Sequence, residues 1–206
     1  MRIGILADIH GDVESLTGAL TEFRARGVDQ VVSLGDACEM FGPDAGAREV
    51  VDLLRSAHAV GVWGNHDFGL CYEVEETVRQ EAGSTVIEFM AGMRPHLVLE
   101  GCRFSHVEPW LDPTEVQDLW YWQGPPDTPE LAARSFAAVP ERFLFIGHFH
   151  AWLAMTPSER REWRGEGPLD LSVGPRDLVV IDAVHNGWCA IFDTTTAVLT
   201  PVRCQA

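Results

Sequence analysis

Apolar residues in this chain fall into two alternating rhythms over its first hundred positions. Ile3-Gly4-Ile5-Leu6-Ala7, Val31-Val32-Ser33-Leu34 and Val60-Gly61-Val62-Trp63 are short dense runs that read as buried strands. Between them the spacing opens to a helical period. Gly11 turns the chain, Asp12 is placed to cap a helix to about Ala25, and Leu16, Leu20 and Phe23 share one face of it. Gly27 ends that helix, and Ala45 to Ser56 repeat the pattern with Val50, Val51, Leu53 and Leu54. Strand–helix–strand units of this length predict right-handed crossovers and a parallel sheet.

The second half is less regular. A helical stretch over roughly Glu73 to Met90 leads to strands at Leu97–Leu99 and Arg103–Ser105, turning at Glu100-Gly101. Val107 to Pro129 is irregular and rich in Pro and Trp, and a short helix over Glu130 to Ala138 precedes a strand at Arg142–Ile146. From Ala151 on, β-like stretches at Asp177–Ile181, Trp188–Phe192 and Ala197–Val202 lie between turn residues, and Asn186-Gly187 predicts a hairpin. With no internal repeat and no composition shift, residues 1–206 read as one domain.

The polar residues that follow the apolar runs are of one chemical type. Asp8-Ile9-His10, Gly35-Asp36, Gly64-Asn65-His66-Asp67, Ser105-His106 and Gly147-His148-Phe149-His150 each stand at the carboxyl end of a predicted strand. Open α/β sheets gather their ligand sites there. Imidazoles mixed with carboxylates, and no thiolate beside them, suit Mn, Fe, Zn or Co. Asp8, His10, Asp36, Asn65, His106, His148 and His150 outnumber the ligands one ion takes while keeping positions open for water. Two ions sharing one carboxylate fit the count, and such a pair clamps both oxygens of an in-line phosphoryl displacement.

Composition narrows the partners. The chain is 46% hydrophobic and 22% charged, which suits a globular domain. Its 31 acidic against 15 basic residues give a net charge of −16, a field that repels polyphosphate chains and anionic bilayers. A long nucleic-acid partner and a membrane surface are therefore not expected. Five scattered cysteines without a CxxC pair read as free thiols of a reducing compartment. Neither a signal peptide nor an apolar run long enough to span a bilayer is evident, so the expected location is cytoplasmic.

Taken in order, Asp8-x-His10, Gly35-Asp36, Gly64-Asn65-His66-Asp67, the lone His106 and Gly147-His148-x-His150 resemble the calcineurin-like metallophosphoesterase superfamily over most of the chain. Asp8-Ile9-His10-Gly11-Asp12, Gly35-Asp36 with the later Gly42-Pro43, and Val173-Gly174-Pro175-Arg176-Asp177 look closest to its small bacterial and archaeal phosphodiesterase branch. The resemblance implies a four-layer α/β/β/α sandwich of two mixed β-sheets. It also implies two divalent metal ions, Mn foremost, with Fe, Zn, Ni or Co as alternatives. Asp8, His10 and His150 would bind the first, Asn65, His106 and His148 the second, and Asp36 would bridge them. His66 would protonate the leaving oxygen, with Asp67 fixing its orientation, while a metal-bridging hydroxide attacks.

The implied activity is hydrolysis of a small phosphoester. The phosphoprotein-phosphatase branch places an Arg shortly after Gly-Asp and another just before Gly-Asn-His; here those stretches read Ala37-Cys38-Glu39-Met40 and Val62-Trp63. Without that bidentate clamp the reading tilts to diesters. A phosphomonoesterase or protein phosphatase, or an idle scaffold of the same fold, are the alternatives. The family usually follows its lone His with Gly, and Val107-Glu108 stand there; Phe149 replaces a small polar residue. Both changes are expected to reshape the pocket mouth, and Glu108 to disfavour very anionic substrates.

Several residues lie outside the motifs. Trp110 and Trp120-Tyr121-Trp122 either form a lid that stacks a nucleobase, which would make the substrate a nucleotide-containing diester, or cover the sheet edge, the simpler expectation. His58, His96 and His185 read as surface or satisfied residues, and Cys38 as a neighbour at the edge of the site. Arg176 is a candidate for a phosphate contact or, more simply, for a structural salt bridge.

Overall fold

A computed structural model of the chain describes residues 1–39 and 46–204; Gly42-Pro43 and Ala45, the expected first residue of the second helix, lie outside them. The alternating first part folds as β1 (Arg2–Leu6), α1 (Val13–Ala25), β2 (Gln30–Ser33), α2 (Ala47–Ser56) and β3 (Val60–Gly61). Asp12 caps α1 as expected, its carboxylate accepting the Ser15 amide at 2.9 Å. There follow α3 (Phe68–Cys71), α4 (Glu76–Met90), β4 (Leu97–Leu99), β5 (Cys102–Ser105), α5 (Val116–Leu119), α6 (Pro129–Ala138) and β6 (Phe143–Ile146). The last part is strand-rich: β7 (Leu153–Met155), β8 (Leu169–Asp170), β9 (Asp177–Val180), a 3₁₀ turn (Val184–Asn186), β10 (Trp188–Asp193) and β11 (Val198–Arg203).

These strands form two sheets, ordered β3-β2-β1-β10-β11-β8 and β4-β5-β6-β9-β7. The expected parallel pairing holds within β1-β2-β3 and between β5 and β6; β9 also runs parallel to β6, while β10 runs antiparallel to β1 and makes the first sheet mixed. Strand periodicity decides which side chains face which layer. Ile3 and Ile5 of β1 meet Phe104, Phe145 and Phe192 between the sheets. Leu6 faces outward to Leu16 and Phe23 of α1 and Leu54 of α2. Leu144 and Ile146 of β6 turn instead to Ala132 and Phe136 of α6. The result is the four-layer α/β/β/α sandwich. Gly4 is required where Phe23 lies across β1, because a Cβ there would stand 2.6 Å from the ring.

Four sequence expectations are corrected. Asn186-Gly187 does not turn a hairpin, since β9 and β10 belong to different sheets; Gly187, at φ +79°, ends the 3₁₀ turn instead. The hairpin is β10–β11. The helix to Met90 begins at Glu76, with α3 before it, and is broken at Gly83, whose φ of 78° and ψ of 158° no helix accommodates. Strand β3 ends at Gly61, and Val62 instead bridges to Arg94. Arg176 makes neither a salt bridge nor a site contact among the described residues. Its guanidinium donates to the carbonyls of Phe136, Val139 and Glu141 and so satisfies the end of α6.

Candidate metal centre

The parallel strands of both sheets end at one edge of the sandwich, and the polar clusters meet there. Asp8 and His10 follow β1, Asp36 follows β2, Asn65 and His66 follow β3, His106 follows β5, and His148 and His150 follow β6. The backbone is bent to bring them in. Of the nine non-glycine residues with positive φ among those described, five are Asp8, His10, Asp36, His148 and His150. Left-handed backbone costs a non-glycine residue about 1–3 kcal/mol and persists where surrounding structure enforces it. Here the enforcement is visible: the His148 amide donates to the Asp8 carboxylate at 3.1 Å, and the His10 amide to the Asp36 carbonyl at 2.9 Å.

The side-chain donors form two groups with a shared member. In the first, His150 Nε2 lies 3.2 Å from Asp8 Oδ1 and 3.3 Å from His10 Nε2, which is itself 3.8 Å from Asp36 Oδ2. In the second, Asn65 Oδ1 is 2.8 Å from His106 Nε2 and 3.1 Å from His148 Nδ1. Those two nitrogens stand 3.2 Å apart, and His106 Nε2 is 3.4 Å from the same Asp36 Oδ2. Donors bonded to one cation at about 2.1 Å are separated by about 3.0–3.4 Å, so the second group and the Asp8–His150–His10 contacts are close to the spacing of ligand sets, while His10 and Asp36 stand wider apart. Imidazole nitrogens converging on each other and on carboxylates need protons or a cation between them. The donor set therefore fits a pair of divalent ions.

Electrostatics point the same way. Burial by itself raises the Asp36 carboxyl, but His106, then His66, outweigh it and hold it well below the usual carboxylate range. Burial by itself lowers His106, yet Asp36, with Asp8 and the Leu34 carbonyl, pushes it up to about 9. His148 is driven down to about 4 by burial and by the neighbouring His106 charge. His150 is raised, first by its hydrogen bond with Asp8. One cluster thus holds imidazoles shifted in opposite directions, as expected where acids and bases crowd a functional site.

Asp67 does something other than orient His66. Its buried carboxylate accepts the amides of Ala37, Cys38 and Gly64 at 3.0–3.2 Å, tying the loop after β2 to the loop after β3. Burial, then the Asp36 charge, push it up to about 6. The imidazole of His66 is instead held by Glu39, whose Oε2 is 3.0 Å from Nδ1, while Oε1 of the same carboxylate is 2.6 Å from His10 Nδ1. Sequence reasoning missed Glu39, although a carboxylate three residues past Asp36 was a signal. Cys38 is buried with its thiol raised by burial, and does not line the pocket.

A cavity of about 420 Å³ opens over the centre, lined by His10, Asp36, Asn65, His66 and His148, with Trp120, Trp122 and Phe149 at its wall. Trp120 is 44% and Trp122 60% exposed, so the rings do not serve to cover a sheet edge. Trp120 stands 5.2 Å from the His66 ring and Trp122 5.3 Å from that of His148. Glu108 turns away from this cavity, buried and accepting the Trp110 indole at 3.2 Å, which removes the expected effect on anionic substrates. His185 is the unexpected neighbour: its ring lies 5.0 Å from that of His10 and 4.6 Å from that of His150.

Comparison with known proteins gives consistent likenesses. The profile of the calcineurin-like phosphoesterase superfamily domain matches residues 1–164. An uncharacterized protein of Methanocaldococcus jannaschii is 35% identical over 68 residues, 33% of this chain and 27% of that protein, so the chain matches well under two thirds of that relative. A metallophosphoesterase from Sphaerobacter thermophilus superposes with a TM-score of 0.75 at 24% identity, over 98% of this chain and 87% of its own. A novel archaeal phosphodiesterase superposes at 0.54 with 12% identity, over 98% of this chain and 99% of its own. At these identities the two structures establish a shared fold.

Proposed function

Because the chain belongs to the calcineurin-like phosphoesterase superfamily, we propose that it is a phosphodiesterase dependent on two divalent metal ions. The observation that carries this reading is the pair of donor groups that share Asp36 Oδ2, which lies 3.4 Å from His106 Nε2 and 3.8 Å from His10 Nε2. Asp8, His10 and His150 would hold one ion, Asn65, His106 and His148 the other, and Asp36 both. Mn is the foremost candidate, with Fe, Zn, Ni or Co as alternatives, since mixed imidazole and carboxylate sets suit them. Such ions, when bound, supply Lewis acidity to the phosphoryl oxygens and lower the pKa of water.

The chain's own residues supply the rest. His66 is delivered beside Asn65 without joining either donor group, and its amide donates to Asp36 Oδ1 at 2.8 Å. With Nδ1 directed to Glu39, Nε2 is left to protonate the leaving oxygen. Asp67 fixes the loop that carries His66 by binding its Gly64 amide. No Lys or Arg lines the cavity among the described residues, which favours the single charge of a diester over the dianion of a monoester. The exposed indoles of Trp120 and Trp122 make a stacking wall for a nucleobase, so a small nucleotide-containing diester is the favoured substrate class.

The test is hydrolysis of bis-p-nitrophenyl phosphate beside p-nitrophenyl phosphate, with metal-stripped protein refilled with Mn, Ni, Zn, Co or Mg. Diester turnover with a transition metal supports the proposal, and a preference for the monoester moves it to a phosphatase. Silence on both with two ions bound leaves the scaffold alternative. Trp120→Ala and Trp122→Ala should weaken a thymidine p-nitrophenyl diester more than bis-p-nitrophenyl phosphate; equal losses would remove the nucleobase from the reading.

A further inference from the structure

Three imidazoles, not two, face the first donor group. His10 arrives from the end of β1, His150 from the end of β6, and His185 from the turn after β9. The position of His185 is built into the fold. Val184, fully buried among Leu6, Ile9 and Leu16, donates its amide to the Ala7 carbonyl at 2.8 Å. The His185 amide points to the Asp8 carbonyl at 3.4 Å, and the Asn186 side chain donates to Asp182 Oδ1 at 3.0 Å. The 3₁₀ turn is thereby pinned to the loop that carries Asp8 and His10, with Gly187 ending it in the left-handed region. Such a turn leaves the imidazole exposed but not wandering.

The ring separations decide what this arrangement suits. His10–His150 centroids are 5.1 Å apart, His10–His185 5.0 Å and His150–His185 4.6 Å. With metal–nitrogen bonds of about 2.1 Å, ring centres lie about 3.2 Å from the ion, and imidazoles at neighbouring coordination positions stand about 4.6–5.3 Å apart. All three separations fall within that range. One donor atom from each of the three residues also lies within 4.8 Å of the other two. Stacking for its own sake is a poor alternative, because the interplanar angles of 56–77° are those of tilted or edge contacts between groups that repel when protonated.

We propose that His185 is a further ligand of the first metal ion, joining His10 and His150 at its site. This rests on the metallophosphoesterase reading of the centre. The added imidazole would shift the donor set from hard towards borderline ligands. Zn, Fe, Co or Ni are then favoured over Mg at this position.

The experiment titrates metal-free protein with Co²⁺, following heat and visible absorption, in wild type, His185→Ala and His185→Asp. In His185→Ala one of the two sites should weaken by at least about tenfold with an altered spectrum, the other staying within about twofold. His185→Asp, which restores a donor, should recover much of the loss. Because the side chain is exposed, the metal-free melting temperature should be the same in all three, which separates ligand loss from misfolding. Unmoved affinities and spectrum in His185→Ala, or equal weakening at both sites, would overturn the assignment while leaving the proposed function standing. A wild-type chain that takes up no Co²⁺ would remove both.

Discussion

Asp36 shows how much one side chain does here. Oδ1 accepts the His66 amide and Oδ2 faces both donor groups, so the carboxylate links the proposed general acid to the proposed metal positions. Glu39 repeats the device one step outward, binding His10 and His66 through its two oxygens. Carboxylates that orient a metal-bound imidazole are worth about 10–100-fold in affinity or activity. Glu39→Gln should therefore lower both turnover and metal affinity by about that factor, whereas His66→Ala should cut turnover with metal content near wild type; elemental analysis beside diesterase rates checks both. The pH dependence of loading belongs to the same scale. In metal-free protein His106 keeps its proton up to about pH 9, and the ion needs the neutral imidazole. Below that pH, uptake releases a proton and affinity should rise about tenfold per pH unit. Calorimetry in two buffers of different ionisation enthalpy at pH 7 and 8 measures it, and an affinity flat with pH would contradict it. The seven donors could be read from the sequence because each ends an apolar run. Glu39 left only the weak signal of its closeness to Asp36 and His185 left none, since their places depend on which loops the sheets bring side by side.

At the scale of elements, the close approach of the loops after β2 and β3 sets the geometry. A Cβ on Gly35, at φ +97°, would stand 2.5 Å from the Gly64 amide, and one on Gly64 would meet the Asp36 carboxylate and lie 2.6 Å from its amide. Gly64→Ala should thus cost about 2–4 kcal/mol and displace Asp36. A thermal melt and Co²⁺ stoichiometry test this together; a stable variant with two ions bound would refute it. Helices α1, α2 and α6 were legible because amphipathic spacing and caps are local, as Asp12 at the start of α1 illustrates. The Asn186-Gly187 turn was misread because local turn chemistry says nothing about whether the strands on either side share a sheet. Likewise the exposure of Trp120 and Trp122 depends on Leu119, whose burial anchors the segment and turns its neighbours outward.

For the whole molecule the balance of charge matters. The chain has no lysine, so its 15 basic residues are all arginines against 31 acids, and cations bound at the centre would relieve part of the self-repulsion. An ion bound only by the folded state at about a hundred times its dissociation constant adds about 2.7 kcal/mol. Stripping the metal should then lower the melting temperature by about 5–10 °C for a chain of this size, which calorimetry with and without chelator reads directly. The sandwich of two mixed sheets was foreseen from the motif set, whereas the repeating strand–helix units by themselves announce only the parallel pairs and not the antiparallel ones of β4, β7 and β10.

One feature of this architecture reaches beyond chemistry. Asp8, His10, Asp36 and Asn65 come from the first sheet, and His106, His148 and His150 from the second. Away from this edge the sheets are joined by apolar side chains such as Ile5, Phe104 and Phe145, whose contacts are not directional. At the edge the joint is made of directional bonds, among them His106 Nδ1 to the Leu34 carbonyl at 2.8 Å. A pair of ions would act there as a stitch through both layers. Amide hydrogens of β1, β2, β5 and β6 would then exchange as a single slow group when it is in place, and as two separately breathing sheets when it is cut.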